Sequence, residues 1–309
     1  MPEQAPFPID PRLSGIAVAY RNSRMIADDV LPRSPVGQRQ FKYLVYERDE
    51  RFTIPRDTVG RKGQVQEVEF GASEETASVE DHALEDAIPQ DDIANAPEGH
   101  DPVGQATEAI TDLIELGREK RVADMVHNPV NYPSGNKVDL TNSTQWSSDT
   151  ADVIGDIHRG LDTPLMAPNV MVLGHQSWRT LQTHPKIAKA IHGNSGDTGI
   201  ATRQQVAELF ELDAVYVGMG RYNTQRPGQS PSFARLWGDH VALLHINSLA
   251  DTRQGVTWAM SPVYGDRVAG QWEDRNIGMR GGTRVRAGES IAEVLVASDV
   301  GYLIQDVTA

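Results

Sequence analysis

Three histidines in one short stretch are the first residues whose type could support chemistry. His175, His184 and His192 lie within NVMVLGHQSWRTLQTHPKIAKAIHG, residues 169–193. Imidazole is a common metal ligand, so three histidines with an acidic residue would suit a metal-dependent hydrolase. Helical zinc motifs place their ligands four residues apart, whereas these histidines are nine and eight apart across Pro185. The pattern therefore favours structural roles, with His184 at a helix-breaking turn and His192 at a helix end.

Other catalytic chemistry finds little support in the sequence. The chain has no cysteine, which excludes disulfides, thiolate metal sites and cysteine nucleophiles. It has no G-x-S-x-G motif, and its glycine-rich stretches at 218–223 and 278–282 lack the phosphate-loop pattern. Adjacent carboxylates such as Asp91 and Asp92 diverge along a chain and favour exposed charge over an acid/base pair. We expect a protein that is not an enzyme and needs no cofactor.

The composition limits the partners. The chain has 309 residues and a net charge of −14, which disfavours sequence-specific DNA binding because affinity for phosphates comes mainly from Lys and Arg. An acidic protein can still enclose nucleic acid without gripping it. No apolar run is long enough to span a membrane, and the N-terminus lacks the pattern of a signal peptide.

The charge is distributed in blocks that indicate separate elements. Residues 1–64 carry eleven Lys and Arg against eight Asp and Glu, whereas residues 65–102 carry twelve acidic residues and no basic one. Such an acidic block is typical of a solvated surface or a flexible linker. Six prolines within residues 1–40 predict an extended N-terminal arm rather than a packed element.

A long β-hairpin is predicted after the arm. Its strands are FKYLVYERDERFTI (41–54) and QVQEVEF (64–70), joined by a tip, PRDTVGRKG, that carries Arg56, Arg61 and Lys62. A two-stranded hairpin is only marginally stable by itself in water. We therefore expect this one to lie on another surface, most plausibly that of a neighbouring subunit.

The strongest helical pattern follows the acidic block, at residues 102–126. Asp101 is placed to cap it, and Pro102 suits the first helical position. The predicted apolar stripe consists of Ala106, Ile110, Leu113, Ile114 and Gly117, extended by Val122, Met125 and Val126.

The second half of the chain predicts an α/β region followed by strands. Helices are expected at 147–162, on either side of His184-Pro185, and at 202–212, where Thr202 and Gln205 form a capping box. Buried strands are expected at 169–174 and 214–218, and a hairpin at 234–246. The last third predicts strands at 255–263, 283–288, 290–298 and 300–307.

This order of elements resembles the major capsid proteins of tailed bacteriophages, with the Hong Kong 97-type fold that bacterial encapsulins share. Local blocks add to the resemblance: VEDHALEDAIPQDD (79–92), TQWSSDTADVIGDI (144–157), NVMVLGHQSWRTLQTHPKI (169–187), VAELFELDAVYVGMGRYN (206–223) and LWGDHVALLHI (236–246). The resemblance implies an α+β capsid fold of five parts. These are an N-terminal arm (1–40), an extension-loop hairpin (41–72), a peripheral domain (73–146) with spine helix 102–126, an α/β axial domain (147–250) and return strands to the peripheral domain (251–309).

The resemblance implies a shell subunit. Hexamers and pentamers of this chain would form an icosahedral virion shell around double-stranded DNA, assembled in the host cytoplasm, and any scaffold, portal or decoration proteins would be separate chains. Some family members crosslink their subunits covalently, but no such pairing can be matched here, so Arg56, Arg61 and Lys62 are expected to make non-covalent contacts with acidic neighbours. The alternatives are an encapsulin-like compartment for a protein cargo and, from another class, the metal-dependent hydrolase.

Overall fold

A computed structural model describes residues 10, 12–14, 25–46, 54, 57–65, 67, 72–193, 199–226 and 228–308. Its helices are α1 (Ala27–Val30), α2 (Gln90–Ala94), α3 (Pro102–Val126), α4 (Val153–Asp162), α5 (His175–Thr183), α6 (Pro185–His192) and α7 (Arg203–Leu209). Its strands are β1 (Arg33–Val36), β2 (Gln40–Tyr46), β3 (Ala72–Ser78), β4 (Glu80–Pro89), β5 (Lys137–Asp139), β6 (Val170–Gly174), β7 (Ala214–Gly218), β8 (Arg221–Asn223), β9 (Phe233–Arg235), β10 (Val241–Leu244), β11 (Ala259–Tyr264), β12 (Val268–Asp274), β13 (Gly282–Ile291), β14 (Val294–Leu295) and β15 (Gly301–Gln305).

The predicted spine helix is confirmed as α3, with the predicted bounds and Pro102 in its first turn. Asp101 occupies the N-cap position as predicted, but its side chain makes no capping hydrogen bond and its carboxylate pairs with Arg12 at 3.0 Å. The predicted apolar stripe is wrong at Leu113 and Gly117, which are exposed, because Arg118 and Glu119 are buried in the neighbouring positions. The helix therefore buries a charged segment next to its apolar one.

One sheet has six strands, and the first half of α3 packs on it. Its main path is β1-β11-β13-β12, while β14 pairs with β11 and β4 pairs with β13. Val103, Ala106, Ile110 and Ile114 of α3 share a core with Ile88, Ala269, Val285 and Ala287 of this sheet. Alternate residues of these strands thus face the helix, as the two-residue period of a strand requires.

The other sheet has five strands in the order β5-β15-β10-β6-β7. Met171 and Leu173 face helices α4 to α7, whereas Val170 and Val172 face the last turns of α3. Both faces are covered, which explains why β6 and β10 are buried along their whole lengths. The range 251–309 is divided between the two sheets, because β15 joins the five-stranded sheet.

The hairpin pairs differently from the prediction. The second predicted strand, residues 64–70, is wrong in its described part, since residues 64, 65 and 67 are not in a strand. The partner of β2 is β3, with Gln40 opposite Ser78 and Tyr46 opposite Ala72. Polar contacts fix this register: the Tyr43 hydroxyl donates to Glu75 at 2.6 Å, and Lys42 donates to Glu74 at 2.5 Å. The hydrophobic pattern of the sequence does not reveal such side-chain contacts between polar strands, so this pairing could not be predicted from it.

The prediction of an unpacked arm is wrong for residues 25–36. Ile26, Ala27, Val30 and Leu31 are buried in a core that they share with Val122 and Val126 of α3. Residues 33–36 form β1, which runs parallel to β11. The rest of the predicted arm, apart from residues 10, 12–14 and 37–40, lies outside the described residues.

The predicted hairpin at 234–246 is also wrong. β9 pairs with β8, whereas β10 lies between β6 and β15 in the five-stranded sheet. Residues 236–240 cross between these partners because Trp237 packs onto two strand ends. A Cβ on Gly218 would lie 1.9 Å from the Trp237 ring, and one on Gly174 would lie 2.7 Å from the Trp237 carbonyl oxygen. Glycine at both strand ends therefore makes room for the crossing chain.

Candidate assembly surfaces

The hairpin tip is exposed on its own subunit. Residues 57–65 are all exposed, including the predicted contact residues Arg61 and Lys62. A turn at 61–62 is closed by a hydrogen bond from Gly63 N–H to the Gly60 carbonyl at 2.8 Å. Arg56 lies outside the described residues. Ile54 is 94% exposed and Val65 75% exposed, so the tip presents apolar as well as basic side chains to its surroundings.

The acidic block forms a surface strand, and the prediction of a linker there is wrong. β4 pairs with β13 over ten residues, from Glu80 opposite Ile291 to Pro89 opposite Gly282. Glu85 accepts hydrogen bonds from Arg284 at 2.9 Å and from Arg286 at 2.6 Å. Arginines on the partner strand therefore offset part of the acidic charge, which stabilises an otherwise repulsive sequence as a strand.

A chain of alternating charges joins the N-terminal segment, α3 and the six-stranded sheet. Its members, in order of contact, are Arg118, Asp28, Arg33, Glu289, Arg267 and Glu115. Its links include Arg33 Nε to Asp28 at 2.7 Å and Arg267 Nε to Glu289 at 2.8 Å. Burial raises the pKa of Asp28, but the guanidinium groups of Arg118 and Arg33 outweigh burial and lower it to about 2. The Asp28 carboxylate is therefore charged at neutral pH.

Glu119, the next residue of α3, holds the start of α1. Its carboxylate accepts from Ile26 N–H at 3.0 Å, from Ala27 N–H at 2.7 Å and from the Trp237 indole at 2.5 Å. Burial raises the pKa of Glu119 more than these hydrogen bonds lower it. A side chain from α3 thus satisfies amides that a short helix leaves without partners inside it. This role could not be predicted from the sequence, because REKR in a helix resembles a solvated face.

The three histidines have separate structural settings. His184 precedes α6, where its Nδ1 accepts from Lys186 N–H at 3.3 Å and its Nε2 lies 3.2 Å from the Ser148 carbonyl. Burial lowers the pKa of His184, which keeps the ring neutral. His175 begins α5 and His192 ends α6. The structure therefore supports helix-end roles and brings no acidic residue to these rings as a fourth ligand among the described residues.

One group in the described part of the chain has side-chain atoms close enough to share a metal ion. It consists of Asp239, His240 and Asp306, whose ligand atoms lie within 4.8 Å of one another. His240 Nδ1 already accepts a hydrogen bond from Asp306 N–H at 3.0 Å. A metal would have to displace that bond, so the group is better described as a cluster of charges at the end of the five-stranded sheet. Among the described helices, none has the length and apolarity to cross a bilayer.

Comparison with known proteins gives the class of this fold. No family model matches the chain. The crystal structure of a phage-related protein from Bordetella bronchiseptica RB50 matches with a TM-score of 0.76 at 23% identity, over 98% of each chain. Phage and prophage capsid proteins also match over nearly the whole chain. The architecture is therefore that of the Hong Kong 97-type capsid proteins.

Sequence relatives then give the family. The major capsid protein of Pseudomonas phage JBD67 is 48% identical over 305 residues, which is 99% of both chains. The major capsid protein of Burkholderia phage BcepMu is 26% identical, over 97% of this chain and 96% of that protein. The chain belongs to the major capsid proteins of tailed phages. The predicted family and fold are confirmed, and these relatives favour a phage head over a cargo compartment.

Proposed function

We propose that hexameric and pentameric rings of this protein close into an icosahedral shell around double-stranded DNA, in the virion of a tailed phage. The observation that carries this proposal is the hairpin tip, because nine consecutive residues, 57–65, are exposed. A segment that buries so little surface on its own subunit is suited to contact another copy. Many modest contacts of this kind add up in a closed shell.

The hairpin tip would contact acidic side chains of a neighbouring copy. Arg61 and Lys62 are exposed in the turn, and Arg56 lies in the same basic segment of the sequence. The chain carries 43 acidic residues against 29 basic ones, so carboxylates are the commonest charged groups on any neighbour. Exposed ion pairs contribute only about 0.2–1 kcal/mol each. The tip would therefore set the direction and register of the contact as much as its affinity.

The protein would work by assembly, with no catalytic step and no cofactor. An acidic inner face would let packaged DNA slide, since phosphates would find few cations to bind. Assembly would take place in the host cytoplasm, together with any scaffold, portal and decoration proteins. A net basic inner face in an assembled shell would contradict the sliding role and leave the shell itself unaffected.

The test is electron microscopy and size-exclusion chromatography of the purified protein across a concentration series. We expect rings or closed shells from the wild type. The variant R61E/K62E should need at least tenfold more protein to form shells, which corresponds to about 1.4 kcal/mol per subunit. A wild type that remains monomeric at high concentration, with crowding agents and with phage partner proteins, would overturn the proposed function.

A matched control separates the tip contact from net charge. R275E/K189E also reverses one arginine and one lysine, and both residues are exposed and outside the hairpin. It should assemble like the wild type. If the two variants lose assembly equally, the effect comes from the added negative charge and the tip contact is wrong. Co-purification of one stoichiometric enzyme inside the shells would favour the cargo compartment instead.

A further inference from the structure

Four arginines lie together at one end of the five-stranded sheet without a carboxylate partner among the described residues. They are Arg179 on α5, Arg203 on α7, Arg221 on β8 and Arg235 on β9, and we call this group the arginine face. All four act on one residue: burial and then these charges lower the pKa of His175. In a chain of net charge −14, a group of cations left without counter-charges needs an explanation.

Three of these four positions are unfavourable in an isolated subunit. Arg221 and Arg235 stand directly opposite each other in the β8–β9 ribbon, where like charges destabilise the pair. Arg203 is the first residue of α7, where the helix dipole disfavours a cation. Burial and the neighbouring Arg221 and Arg179 lower the pKa of Arg235, which reports the same repulsion. A ligand or partner that brings negative charge would relieve both the repulsion between the arginines and the unfavourable position of Arg203.

The surroundings of the arginine face have the composition of a protein interface. Three large apolar side chains on the same segments are exposed: Ile200 at 64%, Met219 at 37% and Phe233 at 66%. Arginine, methionine and aromatic residues are enriched in protein–protein interfaces. A phosphate site would have no use for these apolar groups. The partner is therefore expected to be a protein with an acidic surface.

The same end of the sheet carries the opposite charge on its other side. Asp139 ends β5, Asp306 follows β15 and Asp239 precedes β10; we call these three residues the acidic face. Burial raises the pKa of Asp306, the adjacent His240 lowers it, and the nearby Asp239 and Asp139 raise it. The side chains of Asp239 and Asp306 are 40% and 49% exposed. These carboxylates repel one another and remain accessible to a cation from outside.

Strand order separates the outermost members of the two faces within one subunit. β5 and β7 are the two edges of the sheet, four strand spacings apart, which is roughly 19 Å. β5, β15, β6 and β7 all finish at this end, and β10 begins there. Asp139 thus lies at one edge of the sheet and the Arg221–Arg235 pair follows the other edge, whereas Asp239 and Arg179 adjoin the neighbouring strands β10 and β6. Asp139 cannot reach Arg221 or Arg235 of its own subunit, but it can reach those of a neighbouring copy.

We propose that the arginine face of one subunit binds the acidic face of the next copy of this chain. A contact between two different patches repeats head-to-tail and closes into a ring when the rotation allows. The inference rests on the proposed function, since it names the contact that builds the rings. Each copy would relieve the repulsion of both its neighbours, so ring formation would stabilise positions that are unfavourable in the monomer.

Two charge-reversal variants test the contact. R221E/R235E makes the arginine face acidic, and D139R/D239R makes the acidic face basic. Each variant alone should form rings at least tenfold less well than the wild type in size-exclusion chromatography and electron microscopy. When the two are mixed, alternating subunits again meet with opposite charges at every contact. Even-numbered hexameric rings should therefore return in the mixture, and mass photometry of differently tagged chains would show equal numbers of each.

Several outcomes would overturn the inference. If R221E/R235E forms rings like the wild type, the arginine face is not a ring contact, although the shell function stands. A mixture that stays unassembled, while both variants keep a wild-type melting temperature, would also contradict it. So would a variant that assembles normally but loses wild-type binding to a duplex DNA oligonucleotide. R275E/K189E is the control for net charge, and a wild type without rings would contradict the proposed function itself.

Discussion

At the residue scale, the half-buried Asp28 and the buried Glu119 have pKa shifts in opposite directions. Asp28 is held by two guanidinium groups and has its pKa lowered to about 2, whereas burial dominates at Glu119 and raises its pKa. The charged partners thus decide the direction of the pKa shift, because the backbone amides and the indole at Glu119 offset desolvation less than the two cations at Asp28 do. Together the two residues attach the N-terminal segment to α3 at neutral pH.

The stability of the variant D28N should depend less on pH in the acid range than that of the wild type. Asp28 has a folded pKa of about 2 against an ordinary 3.8, so its contribution is present above pH 3.8 and is lost as the pH falls towards 2. The contribution is about 1–2 kcal/mol once partial exposure of the carboxylate is taken into account. At pH 7 the variant should be about 3 kcal/mol less stable, because Arg118 stays buried without its partner. Melting curves from pH 7 to pH 2 measure both effects.

The control for this prediction is D92N, which removes an exposed carboxylate from α2. It should change the free energy of unfolding by less than about 0.5 kcal/mol at any of these pH values. If D28N loses stability in acid as steeply as the wild type does, the acid dependence comes from other carboxylates. The alternating charge chain would then be a packing feature rather than the attachment of the segment.

At the element scale, local signals made part of the fold predictable. The bounds of α3 followed from Pro102 and the helical pattern, and α7 was placed by the capping box of Thr202 and Gln205, which the structure confirms. The buried runs at β6 and β7 were equally informative. β4 could not be predicted, because its pairing partner β13 lies some two hundred residues later in the chain. Of the candidate surfaces, the hairpin tip showed in the sequence, whereas the arginine face forms only through strand order.

Backbone pairing should hold β4 more strongly than its ion pairs do. A Cβ on Gly288 would lie 2.8 Å from Ala83 Cβ and 3.0 Å from the His82 carbonyl, so G288V should push β4 away from β13. We expect a cost of about 1–3 kcal/mol and faster amide hydrogen exchange across residues 80–89. E85A removes only exposed ion pairs and should cost less than about 1 kcal/mol, with exchange unchanged. Equal exchange in the two variants would contradict this order of importance.

At the scale of the whole molecule, two electrostatic effects act against each other during assembly. A net charge of −14 on every subunit produces long-range repulsion, which salt screens first. Contacts at the hairpin tip and the arginine face are short-range, and ion pairs that become partly buried are screened less. Low salt should therefore hinder assembly through repulsion, and high salt should weaken the specific contacts.

Shell formation should consequently pass through a maximum as ionic strength rises from about 0.01 M to 1 M, where the Debye length shortens from about 30 Å to 3 Å. Light scattering at fixed protein concentration measures this dependence. In R61E/K62E and R221E/R235E, shell formation should not decrease at high salt, because the contacts that salt weakens are already absent. In R275E/K189E it should decrease at high salt as in the wild type. Assembly that increases steadily with salt in the wild type would show that apolar contacts such as those of Ile54 and Phe233 carry the shell without help from ion pairs.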